Sequence, residues 1–257
     1  MRLMPRTRAR RRRNAAEGMS VIEHLEELRS RLIVSLIAVG VGSVIGWVFF
    51  HPIFNFMTEP YLKLCKDGVI KSPTGCKLVF TGVVEPFLIR FKVSLAAGLA
   101  IALPVLLYEL WRFITPGLTK PERRLALPFV ASSLVLFALG GLFAYLTLSK
   151  GLRFLLGFAG DSIVPLLTVD RYINFVIFMV LAFGLSFEFP LVLIMLCWVH
   201  VLSSQRLRAW RRWAILFITI YAAVITPSQD PYTQIAMMVP MYVFYELSIL
   251  VARALKR

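Results

Sequence analysis

Between Leu32 and Phe50, and again between Leu125 and Leu148, the chain runs without a single charged residue. Stretches of that length match the roughly 20 apolar residues that a helix needs to cross a bilayer core about 30 Å thick. No other feature constrains the fold as strongly. In hydrocarbon every backbone amide must find its partner inside its own helix or in a closed barrel, and these runs are continuous where a barrel strand alternates. Reading from one charge cluster to the next gives six spans: Leu32–Phe50, Phe91–Trp111, Leu125–Leu148, Tyr172–Leu202, Trp213–Gln229 and Pro231–Ala252. A chain of 257 residues that is 58% hydrophobic and only 17% charged has the composition of such a protein and not of a soluble domain. The expected class is an all-α membrane protein with six transmembrane helices.

Orientation follows from the basic residues. Counted for six spans, the side holding both termini carries twenty Lys and Arg, against nine on the other. Removing the seven arginines of residues 1–13 leaves thirteen against nine, still in favour of cytoplasmic termini. The net charge of +15 and the run "RTRARRRR" raise the question of nucleic acid. A disordered tail over residues 1–19, lying against anionic cytoplasmic lipid, accounts for them better. Residues 20–252 then form the membrane domain, and 253–257 a short basic cytoplasmic end. The arginine run is no export signal, since the first apolar segment is long enough to span and no small-residue cleavage site follows it.

Three polar stretches stand out. In "SVIEHLEELRSRLIV", Ser20 and Glu23 have capping-box spacing. Ile22, Leu25, Leu28 and Leu32 make an apolar stripe, while Glu23, Glu27 and Arg31 stack at i, i+4 spacing. This reads as an interfacial helix on the cytoplasmic surface before the chain turns into the membrane. Glu27 is either an ion-pair partner of Arg31 or a receptor for a cationic ligand. In "FITPGLTKPERRLALP", Thr119 and Glu122 again have the capping-box spacing, with Pro121 in the first turn; Glu122 either starts the third helix or faces a ligand on the same side as Glu27. In "MVLAFGLSFEFPLVLIMLCW", Glu188 sits in mid-span, where a charge costs a few kcal/mol and must face protein or a wet cavity. Pro190, two residues on, is placed to bend that helix.

The elements "HLEELRSRL", "LYELWRFITPGLTKPERRL", "FGLSFEFPLVLIML" and "TPSQDPYTQIAMMVPMYVFYE" together resemble the TatC family, the receptor subunits of twin-arginine protein translocases. The resemblance runs in order from about residue 20 to 252. It implies six helices in a concave bundle with cytoplasmic termini in the cell membrane, and no cofactor or metal. It implies that Glu27 and Glu122 bind the paired arginines of a signal peptide, with Arg29, Phe113 and Pro116 on the same surface. It places Glu188 as the intramembrane glutamate and Asp230 and Gln234 at the last outer turn. The implied partners are twin-arginine signal peptides of folded precursors and single-span TatA- and TatB-like proteins, in a multimeric receptor complex driven by the proton-motive force. A guanidinium presents a rigid fork that a carboxylate accepts bidentately, and lysine cannot reproduce it. Glu109 departs from the family pattern, standing where an uncharged amide is expected, and adds a third acid near the site.

Rival classes are weaker. The three histidines, His24, His51 and His200, lie near span ends, and neither HExxH nor GxSxG occurs, which leaves an enzyme without its chemistry. A proton-coupled small-solute transporter would use Glu188 and Glu246 as carriers, but the two halves show no convincing repeat. Cys65 and Cys76 fall in the 51–90 loop, outside the cytoplasm on this topology, where oxidising surroundings permit a disulfide; two free thiols are the alternative. Trp213–Gln229 is short for a span and would thin the bilayer or lean on its neighbours. Asp230 followed by Pro231 has the chemistry to cap and start the last helix, so Asp230 is either a cap or a partner contact.

Overall fold

The computed structural model describes residues 21–69, 75–114, 126–158, 166–198, 200–228 and 230–254. They form nine helices: α1 Val21–Val48, α2 Phe50–Lys66, α3 Glu85–Ile114, α4 Ala126–Gly157, α5 Val169–Phe187, α6 Phe189–Trp198, α7 Ser204–Ala209, α8 Arg211–Ile225 and α9 Pro231–Ala254. Among the described residues no strand occurs, only an isolated parallel bridge between Val79 and Thr168. Among the described residues five segments are long and apolar enough to cross a membrane: His24–Val48, Glu85–Phe113, Leu127–Gly157, Val169–Trp198 and Pro231–Ala254. The expected span at Trp213–Gln229 is shorter still than the sequence suggested. α8 has 15 residues, about 22 Å at 1.5 Å per residue, and it packs along α9. Of the expected tails at 1–19 and 253–257, residues 1–19 and 255–257 lie outside the described residues, while Arg253 and Ala254 continue α9.

The interfacial helix before the first span is a correction. α1 runs unbroken from Val21 to Val48, with the stripe Ile22, Leu25, Leu28 and Leu32 exposed along it. The chain does not turn because nothing forces it to. No proline interrupts the segment, and Arg31, the charge nearest the apolar run, is taken up by carboxylates on α1 and α3.

Small residues set how the helices meet. On α1, Gly42, Ser43 and Gly46 lie against Ser94, Ala97 and Gly98 of α3 so closely that a Cβ at Gly42 would stand 2.7 Å from the Gly98 carbonyl oxygen. Without a hydrophobic force between helices in lipid, such close backbone approach supplies the packing energy. α4 meets α5 in the same way at Gly140 and Gly184. The core lies between α4, α5, α6 and α9, where Met179, Phe183, Met237 and Ile249 are fully buried.

The 51–90 segment is not the loop that its charges and prolines suggest. α2 is amphipathic and buries Tyr61, Leu64 and Cys65. Pro60 inside it cannot donate to the carbonyl of Phe56, and that oxygen accepts from the Tyr145 hydroxyl of α4 at 3.1 Å instead. Tyr172 of α5 likewise donates to the Met57 carbonyl at 2.8 Å. Cys65 and Cys76 are joined as a disulfide with a Cα separation of 5.6 Å, which ties α2 to the strand-like stretch that bridges to Thr168. The Lys92–Asp170 ion pair at 2.5 Å then closes α3 onto α5. One end of the bundle is thus stitched together; the other, where α1 begins, carries the acidic cluster.

Candidate functional site

Three of the polar positions singled out in the sequence sit at the end of the bundle where α1 begins. Glu27 and Arg31 are one turn apart on α1, and the guanidinium of Arg31 donates through Nε to Glu27 Oε1 at 3.1 Å. Its other arm reaches across to α3 and donates to Glu109 Oε2 at 3.0 Å. The side chains of Arg31, Glu27 and Glu109 are only 13%, 19% and 11% exposed. The second oxygen of Glu27, Oε2, is buried with no hydrogen-bond partner among the described residues. Phe113 of α3 stacks on His24 of α1 with ring centroids 4.6 Å apart, and Trp111 stacks on Phe129 of α4 at 4.6 Å. Arg31, Glu109 and Phe113 line a cavity of about 240 Å³ with Leu28, Leu32 and Leu106. Arg29 is exposed at the same end. Pro116 and Glu122 lie outside the described residues.

The ion pair expected between Glu27 and Arg31 is therefore present, but it does not exhaust either partner. Arg31 serves two carboxylates, and Glu27 keeps an oxygen in reserve. Spacing along α1 announced the first contact; nothing local announced the second, since Glu109 is 78 residues away. An arrangement with two carboxylates, one guanidinium and stacked aromatics suits a further guanidinium, whose flat fork matches a carboxylate edge.

Glu188 occupies a second locus at mid-depth. It stands between α5 and α6, where its amide donates to Leu185 O at 3.1 Å in a tighter turn. Pro190, lacking the N–H that would reach Ser186 O, explains why the helix breaks there. Glu188 Oε2 accepts from the Ser133 hydroxyl of α4 at 2.8 Å, and Oε1 is buried without a partner among the described residues. It lines a cavity of about 860 Å³ whose walls are otherwise almost wholly apolar, among them Leu185, Phe189, Trp213, Phe217 and Tyr245. Ser186 and Tyr221 in that wall are hydrogen-bonded to each other at 3.2 Å, and the Tyr245 hydroxyl donates to Leu207 O at 2.6 Å. Ser133 was invisible as a partner in the sequence, 55 residues from Glu188.

Asp230 is at the opposite end and caps α9. Its Oδ1 accepts from the Thr233 amide at 2.9 Å and its Oδ2 from the Thr233 hydroxyl at 2.5 Å. Burial alone would push this carboxyl up, but hydrogen bonds from Ser228, from Thr233 and from the Tyr232 amide outweigh it and hold the group below its ordinary value. Gln234 follows, half-buried, its amide on Asp230 O at 3.0 Å. Asp230 and Gln234 are thus distant from the Glu27 cluster. Among the described residues no group of His, Cys, Asp and Glu is arranged to hold a metal.

Residues 23–240 match the family model described as Sec-independent protein translocase protein (TatC). The protein of that name from Frankia casuarinae is 44% identical over 97% of this chain and 70% of its own length. The one from Aquifex aeolicus is 40% identical over 93% of this chain and 97% of its own. A crystal structure described as that of the twin arginine translocase receptor TatC superposes with a TM-score of 0.75 at 39% identity, covering 91% of this chain and all of its own.

Proposed function

This chain belongs to the TatC family, and on that premise we propose that it is the receptor subunit of a twin-arginine protein translocase. It takes the signal peptides of folded precursors at the end of the bundle where α1 begins. Glu27 and Glu122 receive the two arginines, and Arg29, Phe113 and Pro116 belong to the same surface. The observation that carries this reading is the Glu27–Arg31–Glu109 cluster: one oxygen of Glu27 is buried with no partner among the described residues, and Arg31 and Glu109 line a cavity together with Phe113, which stacks on His24. α8 completes a set of six crossings, residues 20–252 form the membrane unit, both termini are cytoplasmic, and the basic residues 1–19 and 253–257 lie against anionic lipid. Single-span TatA- and TatB-like proteins join it in a multimeric complex powered by the proton-motive force. A solute transporter needs Glu246 as a free carrier, whereas Glu246 Oε2 accepts from Arg211 at 2.6 Å and is engaged.

The test is binding of a peptide bearing two consecutive arginines to the full chain in lipid nanodiscs. The double Glu27→Gln, Glu122→Gln variant should lose about tenfold or more in affinity while remaining folded, because each lost contact is a charge-assisted hydrogen bond. Glu27→Lys should be worse through direct repulsion. Unchanged affinity in the double Gln variant removes the reading.

Orientation has its own check at the stitched end. With cytoplasmic termini, Cys65 and Cys76 face an oxidising compartment and their bridge persists. In intact cells a membrane-impermeant maleimide should label neither cysteine until an impermeant reductant is added, and then both. Labelling of both before reduction would contradict the bridge, and no labelling after it would contradict the orientation.

A further inference from the structure

Arg90, on the second turn of α3, is a cation at the stitched end of the bundle with no carboxylate of its own among the described residues. Glu59, Glu85 and Asp170 at that end are engaged elsewhere: by Lys63, by the amides of Thr81 and Gly82, and by Lys92. The Arg90 guanidinium instead lies over the Trp47 ring of α1 at 4.6 Å and the Phe50 ring of α2 at 5.3 Å. Its one hydrogen bond among the described residues is long, from Nη2 to Trp47 O at 3.4 Å. Nε is buried without a partner there, whereas Nη1, also without one, is not buried. An arginine stays charged in a protein, so a positive charge is held here by ring faces with its outer nitrogen open. Trp47 also lines a groove of about 410 Å³ between α1 and α3. We propose that Arg90 and this groove form a binding site for an anionic phospholipid, with the headgroup phosphate on the open edge of Arg90 and one acyl chain lying along the groove.

The dimensions of the groove favour a lipid over a second helix. It runs along α1 from Trp47 to Leu36, about 16 Å at 1.5 Å per residue, which is about half of a hydrocarbon core about 30 Å thick. One acyl chain of a single leaflet has that reach, whereas a partner helix would continue through both leaflets and would need no cation at one end. The lining also suits hydrocarbon. Its two hydroxyls, on Ser43 and Ser94, are turned back onto the carbonyls of Val39 and Arg90 at 2.7 Å each, so no polar group in the wall goes unmet for lack of a polar guest. The groove stays open because Gly40 in its wall has nothing within 4 Å of an added Cβ, unlike Gly42 and Gly46 at the helix crossing. Arginine and tryptophan together at a helix end sit at headgroup depth. A guanidinium fork matches the oxygens of a phosphate, and an anionic lipid brings that phosphate without the second cation of a zwitterionic one. Free phosphate has the charge but gains nothing from the groove. None of this depends on what the opposite end of the bundle binds.

Trp47 is the reporter for the test. The full chain is placed in phosphatidylcholine nanodiscs containing a minor fraction of phosphatidylglycerol with brominated chains, and quenching of Trp47 is obtained by difference from a Trp47→Phe variant. The same measurement with brominated phosphatidylcholine gives the reference, and thermal unfolding is followed in parallel. Wild type should prefer the anionic lipid at Trp47 by about fivefold, the step that one basic residue gives at an anionic surface. Arg90→Gln should abolish the preference, and Arg90→Lys, which keeps the charge, should retain most of it. Gly40→Leu should also lower it at an unchanged unfolding temperature, since the added side chain enters the groove and not the helix crossing. No preference in wild type, or a preference that survives Arg90→Gln, overturns the site. Loss of the preference on adding millimolar inorganic phosphate would reduce it to an ion site. Equal shielding of Trp47 from both brominated lipids would show the groove covered by protein, and would overturn the proposal too.

Discussion

Replacing Gly98 by leucine is expected to separate α1 from α3 and, with them, the two halves of the acidic cluster. A Cβ at Gly98 would already lie 2.6 Å from the Ser43 amide nitrogen and 2.8 Å from the Ser43 Cα, closer than any real carbon contact permits. The Ser43 hydroxyl, nearer still, could rotate away, but these two atoms are backbone, so no rotamer change relieves them and α1 itself must move. Overpacking a tight contact costs about 1–3 kcal/mol for added methylenes, and a four-carbon side chain at a backbone crossing belongs at or beyond the top of that range. In a membrane nothing compensates, because lipid accepts the parted faces as readily as the helices accepted each other. Gly98→Leu should therefore lower the unfolding temperature markedly and also abolish binding of a two-arginine peptide, since Glu109 rides on α3 and Glu27 on α1. Gly98→Ala should show a smaller loss of both. Gly141 of α4 is a useful control, as its added Cβ meets only a valine methyl at 3.5 Å, and Gly141→Ala should be nearly silent. A Gly98→Leu protein that melts and binds like wild type would show that the crossing is not what holds the cluster together.

What the sequence could reveal depended on whether the controlling interaction was local. The long uncharged runs mark the spans because hydrocarbon imposes one rule on every residue of a segment, and each such segment became a helix. The break at Glu188 was foreshadowed by Pro190, a local cause. The cap at Asp230 was equally local: Asp, Pro and a hydroxyl three residues on suffice. α2 was missed although Ile53, Met57, Tyr61 and Leu64 recur at helical spacing. Its prolines argue against a helix, and the compensation that permits Pro60, a tyrosine hydroxyl from α4 on the stranded carbonyl, lies 89 residues away. The continuity of α1 was hidden for the same reason. Arg31 looks like a residue that must stay at the interface until Glu109, far along the chain, is seen to take half its charge. Glu27 and Glu188 were recognisable as candidates because carboxylates are rare in such surroundings. Glu109 stood out too, as a third acid near the site, but neither its pairing with Arg31 nor that of Ser133 with Glu188 was legible, because tertiary contact alone chooses them.

Glu188→Ala is expected to leave peptide binding nearly intact and to impair export. The two loci are supported by different elements: the peptide cluster is built on α1 and α3, whereas Glu188 is held by Ser133 of α4 at the junction of α5 and α6. Stability should change little, since deleting a polar group from an apolar wall removes a desolvation cost along with one hydrogen bond, and the Ser133 hydroxyl can turn back to its own helix. What the variant loses is the one carboxyl in a cavity of about 860 Å³ otherwise lined by leucine, phenylalanine, tryptophan and tyrosine. We infer that this group offers a polar contact to a partner's transmembrane helix or to the passing substrate, weakening the bilayer barrier locally. The loss of a hydrogen bond to a charged or strongly polar group in such a medium is worth about 1.5–3 kcal/mol, so export or co-purification of the single-span partner should fall by roughly ten- to a hundredfold. Glu188→Gln keeps the shape and one acceptor and should retain part of the function, which separates a polar contact from proton carriage; a carrier would be as inactive with Gln as with Ala. Export assayed in cells whose own copy has been deleted, with the partner pulled down in parallel, reads both effects. An alanine variant that assembles and exports at the wild-type level would leave Glu188 as nothing more than a hydrogen-bonded brace between α4 and the broken helix.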